Sequence, residues 1–401
     1  MGSIGQPSQR VLIIGAGITG LLIAQGLEQA GIPYAVFESE DASATRRREW
    51  TMVVHWGLPL LEELLPEHLS KRLSETYPNP SLDYHAYPNN THRLYDGNTG
   101  EMMLERGVDG RIVRVSRRKL RALCREGIEI KFGHALDKIV FDDVDGTVTA
   151  QFANGAKETG SLIVGADGAH SAVRRELFGP EKGSATPLDL TFLALTARYS
   201  DPEKARFVAA AHPVFCVVAA DDGIVFMAIQ DVPDPERPET WAIQLYMNWQ
   251  GKDESTTTNE ERQKDMRRRA SKLAEPFRSA FLWLPEDMEI KYNDLAAWVP
   301  SPWDSHDGRV TLAGDAAHAM PPHRGQGLNQ AIQDAQNLVE AMKTIQQSGD
   351  HQPAIVQAYS DEVVERGGKE TRLSLEASRS ITLEAFKKGP WVKHGLGKVS
   401  E

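Results

Sequence analysis

The chain has 401 residues, 41% of them hydrophobic, with two cysteines and a formal net charge of −11. This length allows a substantial core and predicts two or three domains. The acidic balance argues against a nucleic-acid partner and against general adhesion to anionic membranes. Two cysteines supply neither a disulfide framework nor a metal cluster.

The first predicted element is a short buried strand over 11–14 that leads into a glycine-rich turn and a helix. Gly15, Gly17 and Gly20 have the spacing with which such a turn brings the N-terminus of a helix to a pyrophosphate. A second strand ends in Glu38, about 20 residues further on, where a ribose-binding carboxylate is expected. The unit predicts dinucleotide binding, and a tight glycine turn in some other α/β unit is the alternative.

Two later blocks repeat the order of a strand followed by an acid. In mid-chain, a strand is followed by a glycine-rich turn that contains Asp167 and then by a short helix. Further on, Gly314 and Asp315 follow another strand, which places Asp315 to accept a hydrogen bond from a cofactor hydroxyl. In this order, the three blocks predict a single FAD molecule bound along its whole length.

The loop over 321–329 precedes an amphipathic helix. Gly325 and Gly327 allow backbone N–H groups to approach a ligand closely, and the N-terminus of the helix supplies positive potential. These properties suit the ring of a reduced flavin. Helical periodicity continues over 330–384 and is broken near Gly349 and Pro353.

Between the second and third blocks, the segments 190–199, 223–230 and 241–247 alternate as strands do. The predicted fold class is therefore α/β, with a Rossmann-like FAD-binding domain, an interleaved mixed β-sheet substrate domain and C-terminal helices. The predicted boundaries are 1–77, 107–184 and 299–350 for the FAD-binding domain, 78–106 and 185–298 for the substrate-binding sheet, and 351–401 for the C-terminal helical segment.

With these three blocks, the chain resembles the class A flavoprotein monooxygenases of the para-hydroxybenzoate and salicylate hydroxylase type. It resembles most the fungal FAD-dependent monooxygenases of secondary-metabolite pathways. The resemblance implies that the first glycines and Glu38 hold the ADP half and that Asp315 binds the ribityl chain. It also implies that Leu328 and Asn329 give backbone contacts beside the isoalloxazine ring. The expected cofactor contacts are Gly15, Ala16, Gly17, Gly20, Glu38, Arg48, Arg117, Asp167, Asp315, Gly325, Gly327, Leu328 and Asn329.

Two arginines in that set come from the resemblance. Arg117 matches the family's FAD-contacting arginine at the start of a helix, and Arg118 is the alternative match. Arg48 lies in a basic cluster where the family has another flavin-side arginine. A solvated charged face is the alternative for this cluster.

The family mechanism implied by the resemblance has two halves. NADPH or NADH reduces FAD, and the reduced flavin then takes up O₂ to form a C4a-hydroperoxide. This species hydroxylates or epoxidises an aromatic, indole-derived or prenylated natural product. No second GxGxxG unit for the nicotinamide cofactor can be read in the sequence. Its absence agrees with class A enzymes, which lack a separate NADPH domain.

Three residues between the blocks are candidates for contact with the substrate. Arg198 follows a predicted strand and is expected to bind an acidic or enolate group, with an exposed edge charge as the alternative. His212 is a candidate general base, with a surface turn as the alternative. Tyr246 is expected to stack on an aromatic substrate, with core packing as the alternative.

Two other functions remain open at this stage. The first is a dehydrogenase, reductase or halogenase of the same superfamily, although Trp298-Val299-Pro300 is only a fragment of the halogenase element. The second is a flavoprotein that keeps FAD for structure alone. No signal peptide and no apolar run of about 18 residues can be read. We therefore expect a soluble cytoplasmic enzyme without a membrane span, present as a monomer or homodimer.

Overall fold

The computed structural model describes residues 10–43, 49–107, 111–252, 258–348 and 352–397. Its strands are β1 (Val11–Ile14), β2 (Tyr34–Phe37), β3 (Thr51–Val54), β4 (Thr91–Asp96), β5 (Met102–Gly107), β6 (Val113–Ser116), β7 (Ile130–Lys131), β8 (Leu136–Asp142), β9 (Thr147–Phe152), β10 (Lys157–Gly160), β11 (Leu162–Gly165), β12 (Thr186–Pro187), β13 (Leu190–Ala197), β14 (Phe215–Ala220), β15 (Gly223–Asp231), β16 (Ala242–Gln250), β17 (Tyr292–Asn293), β18 (Ala296–Ala297) and β19 (Val310–Leu312). Its α-helices are α1 (Ile18–Gln29), α2 (Leu58–Leu64), α3 (Glu67–Ser70), α4 (Arg117–Arg125), α5 (Ala172–Lys182), α6 (Pro202–Ala209), α7 (Asn259–Ala270), α8 (Phe277–Leu282), α9 (Asp315–His318), α10 (Gly327–Ser348), α11 (Gln352–Arg379), α12 (Leu383–Lys387) and α13 (Pro390–His394). Short 3₁₀ turns lie at Leu73–Thr76, Pro238–Thr240 and Pro322–Arg324.

A five-stranded parallel sheet in the order β19-β11-β1-β2-β7 forms the first layer. All residues of β1 and β11 are buried, as expected for central strands covered on both faces. The right-handed crossover helix of such a unit is α1, whose apolar residues pack into the same core. This sheet confirms the predicted Rossmann-like fold. Because its strands are parallel, their carboxyl ends meet at one edge, where the glycine turn and the acids emerge.

The second layer is a seven-stranded sheet in the order β17-β13-β16-β15-β14-β4-β5, antiparallel except for the parallel pair β14/β4. Side chains alternate between its two faces. On one face, Leu193, Leu245 and Met247 pack in a core shared with Phe277 and Phe281 of α8. The other face carries the cavity described below. The strands of this sheet come from the segments predicted to bind substrate; the exact domain boundaries stay predictions.

The C-terminal helices run from the parallel sheet to the open face of the seven-stranded sheet. α10 ends at Ser348 and α11 begins at Gln352, so the predicted break near Gly349 and Pro353 lies where one helix gives way to the next. After α11 the chain turns back. Trp391 Nε1 donates a hydrogen bond to the carbonyl of His323, and Gln326 Nε2 donates to the carbonyl of Leu396 at 3.1 Å. The segment that contains Trp391 and Leu396 is thereby fixed to the loop predicted to bind flavin.

Three features of the structure bear on disulfide formation, metal binding and membrane insertion. Cys124 and Cys216 are both free and buried, and burial raises the pKa of each thiol to about 12. Within the described ranges, no group of three or more His, Cys, Asp or Glu side chains is placed to hold a metal ion. No helix of the described chain has both the length and the apolar character needed to cross a bilayer.

Candidate active site

The glycine turn after β1 is shaped by close backbone approaches. Gly15 has φ +108°, and a Cβ there would lie 2.5 Å from the carbonyl oxygen of Ala166. At Gly20 a Cβ would lie 2.1 Å from the carbonyl oxygen of Gly15. No L side chain fits either place without moving the backbone. Gly17, Ile18 and the other residues at the start of α1 therefore lie directly against the cavity.

Glu38 follows β2 and is held by the glycine turn itself. Its Oε2 accepts a hydrogen bond from the backbone N–H of Ala16 at 3.2 Å, and its Oε1 accepts from the N–H of Glu40 at 3.2 Å. Arg121 of α4 reaches the same place, with Nη2 3.7 Å from Glu38 Oε2 and Nε donating to the carbonyl of Ala16 at 2.8 Å. Arg121 was missed by sequence reasoning. Its spacing of four from Arg117 puts both on one face of α4, which was the available signal.

Asp167 follows β11, and one of its oxygens caps the next helix. Oδ2 accepts from the backbone N–H of Ala172 at 2.6 Å and of Val173 at 3.3 Å. Oδ1 has no hydrogen-bond partner among the described residues. Burial raises the pKa of this carboxyl, against the effect of the hydrogen bonds. The neighbouring Gly168 and His170 line the cavity.

Asp315 follows β19 and is held differently from the other two acids. Its carboxylate faces the cavity and makes no hydrogen bond with a described residue. Asp315 is exposed at the cavity wall, and desolvation by the surrounding protein raises the pKa of its carboxyl, whereas His318 and Arg117 act to lower it. An acceptor on the cavity wall without a described protein donor is what a cofactor hydroxyl requires.

The turn that presents Asp315 is fixed by a buried carboxylate, Asp334 of α10. Asp334 Oδ2 accepts from the N–H of Gly314 at 2.6 Å and lies 2.7 Å from His318 Nε2. Its Oδ1 accepts from Arg366 Nη2 at 2.6 Å. Burial alone would raise the pKa of Asp334, but the charges and hydrogen bonds of His318 and Arg366 hold it well below its usual range. Sequence reasoning missed this residue because its partners lie 16 to 32 positions away.

The loop before α10 comes next along the cavity. Gly325 has φ +64°, and a Cβ there would lie 2.6 Å from Val53 Cγ1. Gly327 and Leu328 line the cavity. Asn329 lies behind them: its Oδ1 accepts from the N–H of His55 at 3.1 Å, and its Nδ2 donates to the carbonyl of Val53 at 3.2 Å. The Asn329 side chain therefore joins this loop to the end of β3.

Of the two alternative arginines at the start of α4, only Arg117 reaches the cavity. It lines the wall with its guanidinium carbon 4.8 Å from the centre of the Trp50 ring. Arg118 points away, with 72% of its side chain exposed, next to Glu49. Arg48 lies outside the described residues.

One cavity of about 680 Å³ connects these pieces. We call the part near β1, β2, β11 and β19 the cofactor side. The part against the seven-stranded sheet is the aromatic chamber, lined by Arg114, Phe192, Phe215, Val217, Ile224, Phe226, Gln244, Tyr246, Asn248, Met320, His323, Phe386 and Trp391. The predicted residues that line the whole cavity are Gly15, Gly17, Glu38, Arg117, Asp167, Tyr246, Asp315, Gly325, Gly327 and Leu328. Ala16, Gly20 and Asn329 lie behind its wall.

Two of the three predicted substrate contacts are not in the chamber. Arg198 follows β13, beyond the part of the sheet that borders the cavity, and is exposed. His212 is buried beside the strand β14, where Nδ1 accepts from the N–H of Val214 at 3.0 Å and Nε2 lies 3.2 Å from Thr91 Oγ1. Burial lowers its pKa to about 4. With both ring nitrogens engaged away from the cavity, His212 stabilises a turn. Both residues lie outside the cavity lining, and contact with substrate stays a prediction for each.

Tyr246 does line the chamber, within a polar network that the sequence did not indicate. Its Oη accepts from Gln244 Nε2 at 2.6 Å, and Gln244 Oε1 accepts from the backbone N–H of Thr51 at 2.6 Å. Arg114 of β6 donates from Nε to Thr51 Oγ1 at 2.8 Å. The phenyl rings of Phe226 and Phe215 face the Arg114 guanidinium, with centroids 5.0 and 5.7 Å from its carbon. A charge within the strand-like run 112–116 was the only sequence signal for Arg114.

The chemical features of the cofactor side fit FAD. A backbone cradle that a Cβ would fill lies where a pyrophosphate is expected, a ribose-binding acid follows β2, and Asp315 offers a free acceptor beside the N-terminus of α10. The aromatic chamber continues from the position beside Leu328, where the flavin ring is expected. These features define an FAD-binding oxidoreductase fold.

Comparisons with known proteins agree. The family model described as "FAD binding domain" matches residues 113–374. The FAD-dependent monooxygenase phnB of Penicillium herquei is 38% identical over 383 residues, which cover 94% of this chain and 91% of the relative. The FAD-dependent monooxygenase cctM of Talaromyces islandicus is 34% identical over 401 residues, covering 99% of each chain. The chain therefore belongs to the FAD-dependent monooxygenase family and is an oxidoreductase.

A solved structure supports the fold. Klebsiella pneumoniae HpxO, complexed with FAD and uric acid, superposes with a TM-score of 0.73 at 20% identity, covering 92% of this chain and 88% of that chain. At this identity the likeness shows the fold alone. With the family established, FAD is the cofactor, and a small molecule and O₂ are the co-substrates of the class.

Proposed function

We propose that this enzyme uses NADPH or NADH, with O₂, to hydroxylate or epoxidise an aromatic, indole-derived or prenylated natural product held in the aromatic chamber. The observation that carries the proposal is the single cavity that joins the cofactor side to the chamber. A ring bound between the aromatic side chains would lie next to the loop of Gly325 and Leu328. Bound FAD would supply the redox chemistry, taking electrons from NAD(P)H and activating O₂.

The chain's own residues supply binding, orientation and exclusion of water. Phe215 and Phe226 are stacked with centroids 5.7 Å apart, and Phe226 and Tyr246 with centroids 5.3 Å apart. These three aromatic side chains line one side of the chamber, and a planar ring would pack against them. Trp391, fixed to the carbonyl of His323, covers the chamber from the C-terminal side. We further propose that Glu38 binds the ribose and Asp315 the ribityl chain of FAD, with Arg117 near the cofactor.

The test uses the purified full chain with its FAD. Oxidation of NADPH and of NADH is followed in the presence and absence of a panel of planar aromatic compounds under isotopically labelled O₂. We expect the oxidation rate to rise with an accepted substrate, and one labelled oxygen atom to appear in the product by mass spectrometry.

The outcomes separate the alternative functions. Substrate turnover without labelled oxygen in the product would identify a dehydrogenase or reductase. A chlorinated product formed only with added chloride would identify a halogenase. A flavin that neither nucleotide reduces, with any compound of the panel, would leave FAD a structural role and refute the proposal.

A further inference from the structure

Arg114 carries a buried guanidinium that has no acidic partner within the part of the chain that the structure describes. The residue is only 3% exposed, and no carboxylate among the described residues forms an ion pair with it. Nε and Nη2 donate to the side chain and the carbonyl of Thr51. Nη1 makes no hydrogen bond with a described residue and is not enclosed by protein, so it opens on the cavity that Arg114 lines. A buried charge that lacks a counterion is costly unless a bound ligand supplies one.

The polar network supplies a second donor, Tyr246, which is joined to Arg114 through Thr51 and Gln244. The backbone N–H of Thr51 can only donate, which fixes the carbonyl oxygen of the Gln244 amide toward it at 2.6 Å. Gln244 Nε2 must then donate to Tyr246 Oη. Since Oη is the acceptor in this contact, the phenolic hydrogen of Tyr246 is left to donate, and it has no acceptor among the described residues. Both ends of the network therefore present donors to the chamber.

The remaining chamber wall offers no competing charge. Its other described residues are apolar, aromatic or neutral amides, apart from His323. Burial lowers the pKa of His323 to about 4, so this imidazole is neutral near neutral pH. Arg114 thus carries the only formal charge among the described residues that line the aromatic chamber.

We propose that Arg114 Nη1 and the Tyr246 hydroxyl together bind an anionic oxygen, a phenolate, enolate or carboxylate, on a planar aromatic substrate. Arg114 is then the residue that selects anionic over neutral aromatics. The inference rests on the proposed function in that it names the substrate class of the same chamber. The flat rings of Phe226 and Phe215 would hold the ring system while the two donors hold its oxygen.

The test compares 2-naphthoate with its neutral isostere 2-naphthamide. Affinities are measured by equilibrium dialysis with the oxidised FAD-loaded enzyme, without NAD(P)H, so that no turnover is needed. For the wild-type protein we expect 2-naphthoate to bind at least about tenfold more tightly than 2-naphthamide. Arg114→Gln should remove most of this preference by weakening naphthoate alone, and Arg114→Lys should retain part of it.

The matched control is Arg206→Gln. Arg206 lies on α6 with 54% of its side chain exposed, paired to Glu203, and does not line the cavity. Its replacement removes the same charge and should leave both affinities unchanged. If Arg206→Gln loses as much affinity for 2-naphthoate as Arg114→Gln does, net charge and not the subsite attracts the anion. That result would overturn the proposal.

Tyr246→Phe keeps the test decisive if Arg114→Gln loses FAD or unfolds at a lower temperature. This variant keeps the ring and should weaken naphthoate binding several-fold at unchanged flavin content and melting temperature. Equal affinity of the wild-type enzyme for the two probes, including binding of neither, would overturn the subsite. Loss of both ligands in equal measure in Arg114→Gln would do the same. Absence of turnover would refute the proposed function while leaving these binding results intact, so the two failures are distinguishable.

Discussion

On the cofactor side, the cavity wall is made of loops that follow parallel strands, whereas in the aromatic chamber it is made of side chains that alternate along an antiparallel sheet. The first wall presents backbone groups and acids, and a Cβ at Gly15 or Gly20 would collide with backbone carbonyls. The second presents rings, amides and one arginine. The proposed FAD site is thus built from the path of the main chain, and the proposed substrate site from the identity of side chains.

The two walls are expected to tolerate amino-acid substitution to different degrees. A side chain of the chamber can change while the sheet stays in register, because cross-strand hydrogen bonds do not depend on it. The glycine turn tolerates almost no change. We therefore expect substitutions on the cofactor side to cost cofactor and stability, and those in the chamber to alter specificity.

The largest effect is expected for Gly20→Val. Its Cβ would lie 2.1 Å from the carbonyl oxygen of Gly15, which cannot move without opening the turn. We expect loss of bound FAD and a loss of unfolding free energy of about 3 kcal/mol or more. Flavin absorbance per chain and urea denaturation measure the two effects. Gly107→Ala is the control, because no atom of the described residues lies within 4 Å of a Cβ there. Retention of FAD by Gly20→Val would show that the turn adapts.

A second large effect is expected at Asp334, which holds the turn of Asp315 from behind. Asp334→Asn leaves His318 without a carboxylate and leaves Arg366 paired with Glu362 alone, and breaking such a buried network costs about 3–5 kcal/mol. The folded pKa of Asp334 is lowered, so its stabilisation is present above the unfolded pKa of about 4 and is lost as pH falls toward the lower folded value.

Melting temperature as a function of pH measures this linkage. Between about pH 5 and pH 3 the wild-type protein should lose more stability than Asp334→Asn, which has no carboxyl to protonate. Glu67→Gln removes an exposed acid of an i,i+4 pair with Lys71 and should leave the acid dependence close to wild type. Parallel pH curves for the wild type and Asp334→Asn would mean that other carboxyls account for the loss.

These regions also differ in how far the sequence could predict them. Gly15, Glu38, Asp167 and Asp315 each follow a strand within a few residues, so local pattern placed them at one edge of the parallel sheet. Arg114, Thr51 and Gln244 come from three strands, with hydrogen bonds that join residues 63 and 193 positions apart. Such long-range contacts leave no periodic pattern of residue types in the local sequence. Tyr246 was found because it is an aromatic residue within a predicted strand.

The position of two other candidates outside the cavity lining has the same origin. Arg198 and His212 were chosen for their chemistry next to predicted strands, but the point where the sheet leaves the cavity depends on how the two layers pack. His212 is engaged by two backbone N–H groups that follow it in the chain, Val214 and Phe215, a turn that sequence alone did not reveal. Long-range packing, and not residue type, decides which strand residues reach a ligand.

A smaller and more specific effect is expected for Asp315→Ala. The carboxylate makes no hydrogen bond with a described residue and is raised in pKa by burial, so its removal should not lower the unfolding free energy. If Asp315 accepts a hydroxyl of FAD, its loss should weaken FAD binding about tenfold or more at an unchanged melting temperature of the apoprotein. If Asp315→Ala still binds stoichiometric FAD with wild-type affinity, a residue other than Asp315 contacts the ribityl chain.

The smallest effect is expected for Arg198→Ala, and it tests the boundary of the chamber. Arg198 is exposed and follows the last residue of β13, away from the cavity-lining Phe192 on the same strand. We expect FAD content and substrate-stimulated NAD(P)H oxidation to match those of the wild type. The unfolding free energy should stay within about 0.5 kcal/mol of wild type, as for most surface substitutions. A weakened response to substrate at unchanged FAD content would instead extend the substrate site past the end of β13. The substrate-binding part of the sheet would then extend beyond the aromatic side chains of the chamber, and side chains past the end of β13 would have to be counted among the substrate contacts.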